Sequence, residues 1–493
     1  PCVANIVKFK EIGQQLAKLF MEERLIKCSC RLEATIKQNK LNPFKCLLQT
    51  KNKSRDKETS ALYKYDRNLF LRLYVGCQHR GGDIYEFFRH ENHLFPVSLS
   101  DYGRPHILTD KSQILDHLEE LVRDTCDSKH FESITVDMVI IDGAAMVHMI
   151  MPSPIDTFKT YAIKIADYVR TQFRLGVARV DVIFDVYKPN SLKSTVRAKR
   201  GIGIHRRVEE NKTVPRDFCQ FLQVNENKTE IFSLLADTLV KQKFPGVLIV
   251  TKLSGVVSNK PNFDEYNLSP CLHEEADTRI FVHAVDGIRQ GMKRLMMRTV
   301  DSDVVILAIH FSQKLQCDNL YISFSCGKNL RMLDAVAIGE ALGESKCMAL
   351  PAFVAFSGVD QVEGFVGKGK TSHWSTWNSF SKVTEAFQIL SQRPSVSDVQ
   401  KCLPLIERYT IQLYDRNNEE EDVDIARCIL FCRKKRQLEN IPPTQNALLH
   451  HTLRTAYQAG HVWGQAMSRE IVLPSPADFG WIESDSGWMV SGL

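Results

Sequence analysis

Eight acidic residues stand where an apolar stretch of chain turns polar. Asp142 closes "ITVDMVIID" and Asp185 closes "VDVIFD". Glu274, Glu275 and Asp277 open "EEADTRIFVHAVDGI", Asp301 and Asp303 flank one serine in "TVDSDVV", and Asp360 lies in the glycine-containing turn "FSGVDQVEGF". Carboxylates gathered at one place repel each other and cost stability unless a cation neutralises them. Hard oxygen donors select Mg²⁺ or Mn²⁺ rather than zinc. Two such ions about 3.5–4 Å apart can activate water and stabilise the leaving oxygen of a phosphodiester. Any one of these acids is more often a helix N-cap or turn residue. The ordered set is harder to explain by capping.

Positioning these acids requires strands. "ITVDMVIIDGAAMVHMI" opens with an apolar, β-branched run and ends at Asp142-Gly143, which predicts a buried strand followed by a helix. The same texture predicts strands at Val180–Asp185, at 246–250 ("GVLIV") and at 319–324 ("NLYISF"), and strand material on both sides of Asp301–Asp303. Helical patterns run over 157–173 and through "EEADTRIFVHAVDGI". Strands alternating with helices imply an α/β domain with a mostly parallel central sheet flanked by helices, and parallel sheets build sites at the carboxyl ends of their strands. The expected divisions are a mixed N-terminal region (1–130), the α/β domain (131–370) and an α-rich C-terminal region (371–493). In the first, 9–25, 83–93 and 113–123 read as helical and 41–65 as a polar loop. In the last, 417–424 reads as a solvated acidic loop, "LRTAYQAGHVWGQ" as a helix, and the tail from Pro474 as loosely packed.

Two basic segments accompany the acids. Lys193, Arg197 and Arg200 lie at three- and four-residue steps on one predicted helical face, with Lys199 beside them. "GFVGKGK" offers Gly367 and Gly369 for close backbone approach and Lys368 and Lys370 for charge, a plausible phosphate cradle but not a P-loop. Trp374, Trp377, His461 and Trp463 read as core rather than as stacking residues, and His273 as incidental to the acids.

The acidic segments resemble, in order, the motifs of flap endonucleases and 5′–3′ exonucleases. "IIDGAAMVH" is similar to the first aspartate motif, "VIFDVYKPNSLKSTVRAKR" to the second with its basic helix, "HEEADTRIFVHA" to the acidic helix, "TVDSDVVILA" to the paired aspartates, and "FSGVDQVEGFVGKGK" to the last aspartate and its glycine-rich turn. The resemblance spans about 134–370 and implies a PIN-like fold. It implies a nuclease acting on DNA or RNA with two Mg²⁺ or Mn²⁺ ions. The metals would be held by Asp142, Asp185, Glu275, Asp277, Asp301, Asp303 and Asp360, with Glu274 in support. Lys193 and Arg200 would stabilise phosphate charge in catalysis, and Arg197, Lys199, Gly367, Lys368, Gly369 and Lys370 would contact nucleic acid. "HEEADTR", "GKGK" with its two tryptophans, "AYQAGHVWGQ" and "LPSPADFGW" resemble, more narrowly, a multi-copy animal family associated with mobile elements. The chain departs from the nuclease pattern in having Asp277 where glutamate is usual, and from the narrower family around Asp360, where "GVDQVEG" replaces a polar turn. Both departures bear on activity more than on fold, and they keep a second reading open: a decayed nucleic-acid- or protein-binding module. A phosphatase built on the "TVDSDVV" spacing is a third.

The bulk properties are compatible with these readings. The chain has 493 residues, 44% hydrophobic and 25% charged, with a formal net charge of +6, which permits a polyanionic partner without requiring one. No apolar run reaches the length of a membrane span. The 14 cysteines are scattered; the close pairs Cys28/Cys30 and Cys428/Cys432 lack a second pair at zinc-ribbon spacing, and the expectation is reduced thiols in an intracellular protein, nuclear or cytoplasmic. The start at Pro1-Cys2-Val3, with no initiator methionine or signal-peptide pattern, reads as a fragment or an incomplete gene model.

Overall fold

The apolar runs do what their β-branched content demands and form one sheet. In the computed structural model, residues 9–29, 69–91, 93, 95–101, 104–108, 110–123, 134–174, 176–188, 191–193, 204–484 and 487–490 are described. The chain divides into two compact units, 1–57 and 58–493. The first carries the helix Phe9–Met21, continued by a wider turn over Glu22–Ile26. Everything below concerns the second.

Its sheet has seven strands: β1 (Met138–Asp142), β2 (Arg179–Ile183), β3 (Val247–Lys252), β4 (Gly255–Ser258), β5 (Arg294–Thr299), β6 (Asn319–Phe324) and β7 (Arg331–Asp334). Their order is β4-β3-β2-β1-β5-β6-β7, with the five inner strands parallel and each edge strand antiparallel to its neighbour. The expected mostly parallel α/β sheet is therefore present. The edge strands β4 and β7 were not anticipated, because their four-residue runs are too short and too polar to show a period.

Alternation along β1 builds a core on each face. Met138 and Ile140 join the core containing the helices α4 (Ala276–Arg289) and α5 (Ser302–Phe311). Val139 and Ile141 join the one containing α2 (Phe158–Gln172) and α3 (Asn225–Leu239). The helix α1 (Gly143–Met149) leaves β1 directly, and Gly143 makes this turn possible: a Cβ there would stand 2.4 Å from the Phe184 ring. Under α4, Arg179 pairs through Nη2 with Asp181 and through Nη1 with Asp286, each at 2.6 Å, and His283 Nδ1 lies 2.6 Å from the same Asp181. This buried network pins α4 to β2.

Two expectations are overturned. The run after Asp301 is helix α5 rather than strand; all ten of its residues are buried, and a short segment apolar on every side has no period that separates strand from helix. The tail is not loosely packed, since Pro476–Phe479 form a helical turn, Trp481–Ser484 and Gly487–Val490 pair as a hairpin, and Phe479 and Trp481 are buried. The C-terminal region is α-rich as expected, and the helical readings over 9–25, 83–93 and 113–123 each contain a helix. The predicted loop at 41–65 lies outside the described residues. Trp374, Trp377, His461 and Trp463 are buried core residues, as expected.

The turn after the helix Glu344–Phe356 is held by close backbone approach. Gly358 has φ +111°, and a Cβ there would lie 2.7 Å from Gly364 Cα and 3.0 Å from Leu108. Gly358→Ala is therefore expected to destabilise the protein by on the order of 1–3 kcal/mol in denaturant titration. Gly76→Ala, whose methyl group meets nothing within 4 Å, does not lower stability. Equal midpoints for the two variants would contradict the close packing of this turn.

Candidate acidic site at the carboxyl edge of the sheet

The chain leaves β1 in one direction along the sheet and returns on its other side as β5, which makes the crevice between these strands the topological switch point. Asp142 ends β1 and Asp301 follows β5, so the two carboxylates flank that crevice. Thr299 links them: its hydroxyl donates to Asp142 Oδ2 at 3.3 Å and accepts from the Asp301 amide at 3.0 Å. Sequence reasoning passed over Thr299, although it begins the quoted "TVDSD".

Each acid is also fastened by local backbone. Asp142 Oδ1 accepts from the Ala145 amide (3.0 Å) and caps α1. Asp301 Oδ1 accepts from the Asp303 amide (2.9 Å) and caps α5. Asp185, two residues beyond β2, accepts from the Ala276 amide (2.8 Å) at the start of α4 and from Tyr187 Oη (3.3 Å). The Val186 amide donates to the Glu274 carbonyl at 2.7 Å. Capping thus fixes the direction of carboxylates on three separate elements.

Electrostatics shows which of the acids meet. Burial, then Asp185 and Asp301, push the Asp142 carboxyl up to about 7, against the hydrogen bonds from Ala145 and Thr299. Asp277 is raised well above the usual carboxylate range by desolvation and by Asp301, with Lys193 opposing. Asp303 is pushed up to about 7 by desolvation and Asp301, with Lys111 opposing and Asp360 reinforcing. Asp142, Asp185, Asp277, Asp301, Asp303 and Asp360 therefore form one row, in which Asp142, Asp277 and Asp303 are raised by the acids beside them. Glu275 is tied to it through an ion pair with Lys193. The Glu274 carboxylate accepts from Ser191 Oγ at 2.8 Å.

The far end of the row has walls that no sequence pattern suggested. Lys111, 249 residues upstream, is ion-paired with Asp360. Burial would lower its ammonium pKa, but Asp303, Asp360 and Asp301 together raise it. Glu363, in the atypical "GVDQVEG" turn, is buried against Arg454 and His451. Burial alone would raise its carboxyl; the Arg454 guanidinium and the hydrogen bond with His451 outweigh this and hold it far below the usual range. The turn that departs from the expected pattern is thus tied to the helix Gln445–Ala456.

The basic residues divide. Lys193 is ion-paired with Glu275. Arg197, Lys199 and Arg200 lie outside the described residues. Lys370 corrects an expectation: it is wholly buried, and its Nζ donates to Val354 O (2.7 Å), Ser357 Oγ (2.9 Å) and Gly358 O (2.8 Å). Burial lowers its pKa to about 7, and a side-chain nitrogen committed to three internal acceptors cannot reach a phosphate in solvent. Lys368 is half-buried, its Nζ 4.8 Å from the Tyr414 ring centre, while Gly367 is exposed and Gly369 caps the helix Lys370–Ser379. His273 is buried between Thr278 Oγ1 (2.8 Å) and Ser468 O (2.6 Å), a packing role. Cys428 and Cys432 lie one helical turn apart with sulfurs 3.9 Å apart; Cys30 is outside the described residues.

The donor chemistry suits a hard divalent cation. The row is all oxygen, burial and neighbouring acids raise Asp142, Asp277 and Asp303, and Asp303 Oδ1 is buried with no hydrogen-bond partner. Among the described residues, no three His, Cys, Asp or Glu side chains are arranged around one ion position. Mg²⁺ does not need three: it keeps several waters and is commonly bound through one or two carboxylates.

No family model matches the chain, and no curated protein matches it. Among solved structures it is similar to the catalytic core of Rad2 in complex with DNA substrate, at 15% identity and a TM-score of 0.31, over 61% of this chain and 73% of that one. It is also similar to the T5 D15 protein co-crystallised with metal ions, at 15% identity and a TM-score of 0.31, over 67% of this chain and 96% of that one. At that identity and score the likenesses decide neither fold nor function.

The raised carboxyls carry a signed pH dependence. Asp142 and Asp303 hold their protons to about 7 in the folded state, against an ordinary 3.8. The folded chain binds more protons than the unfolded one across that interval, so stability falls as pH rises through it. In chelator, the melting temperature is expected to drop between pH 5 and 8, and Asp303→Asn to flatten the drop. Identical pH profiles for wild type and variant would contradict the shift.

Proposed function

We propose that residues 131–370 form a PIN-like, metal-dependent nuclease domain that hydrolyses phosphodiester bonds of DNA or RNA. The observation that carries this reading is the row of mutually destabilising carboxylates at the switch point, with one buried oxygen, Asp303 Oδ1, lacking any partner. Evolution of a core rarely leaves such a group without a compensating ligand. Asp142, Asp185, Glu275, Asp277, Asp301, Asp303 and Asp360 would hold Mg²⁺ or Mn²⁺, directly or through water. A divalent ion bound there lowers the pKa of water and takes up charge on the leaving oxygen.

The chain's own groups do the rest. Thr299 sets the angle between Asp142 and Asp301. Asp185 holds the start of α4, and with it Glu275 and Asp277. Lys193, released from Glu275, is within reach of a phosphate at the edge of the row, and the exposed backbone at Gly367 offers a second contact. No helix among the described residues is long and apolar enough to cross a membrane.

A binding module of the same fold is favoured by one observation: Lys193 and Lys111 already occupy Glu275 and Asp360 as ion pairs. Cleavage of labelled single-stranded, duplex and flap oligonucleotides separates the readings. With Mg²⁺ or Mn²⁺ the wild type is expected to cut. Asp301→Ala/Asp303→Ala is expected to lose more than the roughly 10–100-fold that disturbing a metal site's outer partners costs. Oligonucleotide binding that survives in wild type without any cutting would favour the binding module instead.

A further inference from the structure

Charge is unevenly spread along the acidic row. Near β1 and β2, Lys193 lies by Asp277 and Glu275, while Asp142 has the carboxylates Asp185 and Asp301 as its charged neighbours. At the other end Lys111 is ion-paired with Asp360 and lies near Asp303, and the buried Lys370 amine, lowered by desolvation to about 7, also lies near Asp303. The two lysines differ in freedom. Lys370 is fixed in the core by its three internal acceptors. Lys111 comes from the N-terminal segment and keeps 22% of its side chain exposed.

The Lys111 backbone is nevertheless held in place. Asp110 accepts from Ser112 Oγ at 3.1 Å and from Gln113 Nε2 at 3.0 Å. The Gly364 amide donates to His106 O and the Val366 amide to Ser98 O, both at 2.8 Å. This stitching lays the segment against the Asp360 turn, so the ammonium is delivered to the acids by a rigid mount on a flexible stem. A fixed positive charge and a divalent cation compete for the same carboxylates, since each raises the energy of placing the other nearby.

We propose that Lys111 is a built-in counter-cation for the Asp303/Asp360 end of the site. It supplies charge that a divalent ion would otherwise supply there. An ion is therefore taken up first at the Asp142/Asp185/Asp277 end, and a second binds only by displacing the Lys111 ammonium. The inference rests on the metal-site reading above and adds an order of filling to it.

The test is direct Mn²⁺ binding, read as free Mn²⁺ by electron paramagnetic resonance, on the full chain without nucleic acid. Wild type is expected to show one strong and one weaker class of site. Lys111→Met, which keeps the stem and removes the charge, is expected to tighten the weaker class about tenfold or more. Lys111→Arg, which keeps the charge, is expected to retain the wild-type isotherm. Superimposable wild-type and Lys111→Met isotherms, with Mn²⁺ bound to both, would overturn the counter-cation alone. Tightening by Lys111→Arg equal to that of Lys111→Met would do the same, because charge would then not be the cause. No Mn²⁺ binding to wild type would overturn the metal-site reading and this inference with it.

Discussion

Mutual repulsion among carboxylates at the β1/β5 crevice is the constraint around which the second unit is arranged. Parallel strands deliver their carboxyl ends to one edge, and the two strands at the switch point leave a gap that no crossover helix covers. Acids placed there cannot be solvated as on an open surface, nor paired as in a core. Local hydrogen bonds hold some of them, lysines approach from two sides, and Asp303 Oδ1 is left without a partner.

The caps reconcile two explanations of the same aspartates. An aspartate at a strand end is commonly a helix cap, and Asp142 and Asp301 are caps. Asp185 caps across elements, holding the first turn of α4 from the end of β2. Capping uses one carboxylate oxygen, and in Asp142 and Asp185 a hydroxyl, of Thr299 and Tyr187 respectively, fixes the other. A capped aspartate is thus a pre-oriented ligand, and orientation is what a hard cation with strict geometry requires.

The regions flanking the α/β core belong to the site's architecture. The N-terminal segment brings Lys111 to Asp360. The helix Gln445–Ala456 holds the same turn through Arg454 and His451 on Glu363. Lys370 fastens the turn's other side to the carbonyls of Val354 and Gly358. Side chains from two distant parts of the chain and one nearby lysine thereby hold the turn that carries Asp360, and the glycines that admit Leu108 allow them to converge.

The sequence by itself determined the inner strands, the helices that cross between them and the row of acids at strand ends. These follow from local chemistry: β-branched apolar runs, helical spacing, and aspartate at the change from strand to helix. It could not separate strand from helix in "VVILAI", because burial on all sides erases the period. It also misjudged Lys370, whose glycine-rich surroundings look exposed in one dimension and are enclosed in three. Only the tertiary structure decided that Lys111 and Glu363 matter, since their partners lie 249 and 91 residues away in sequence. Periodicity and capping are short-range and can be read along a chain. Pairing of charges across a fold depends on which surfaces come together, and no spacing in the sequence encodes that.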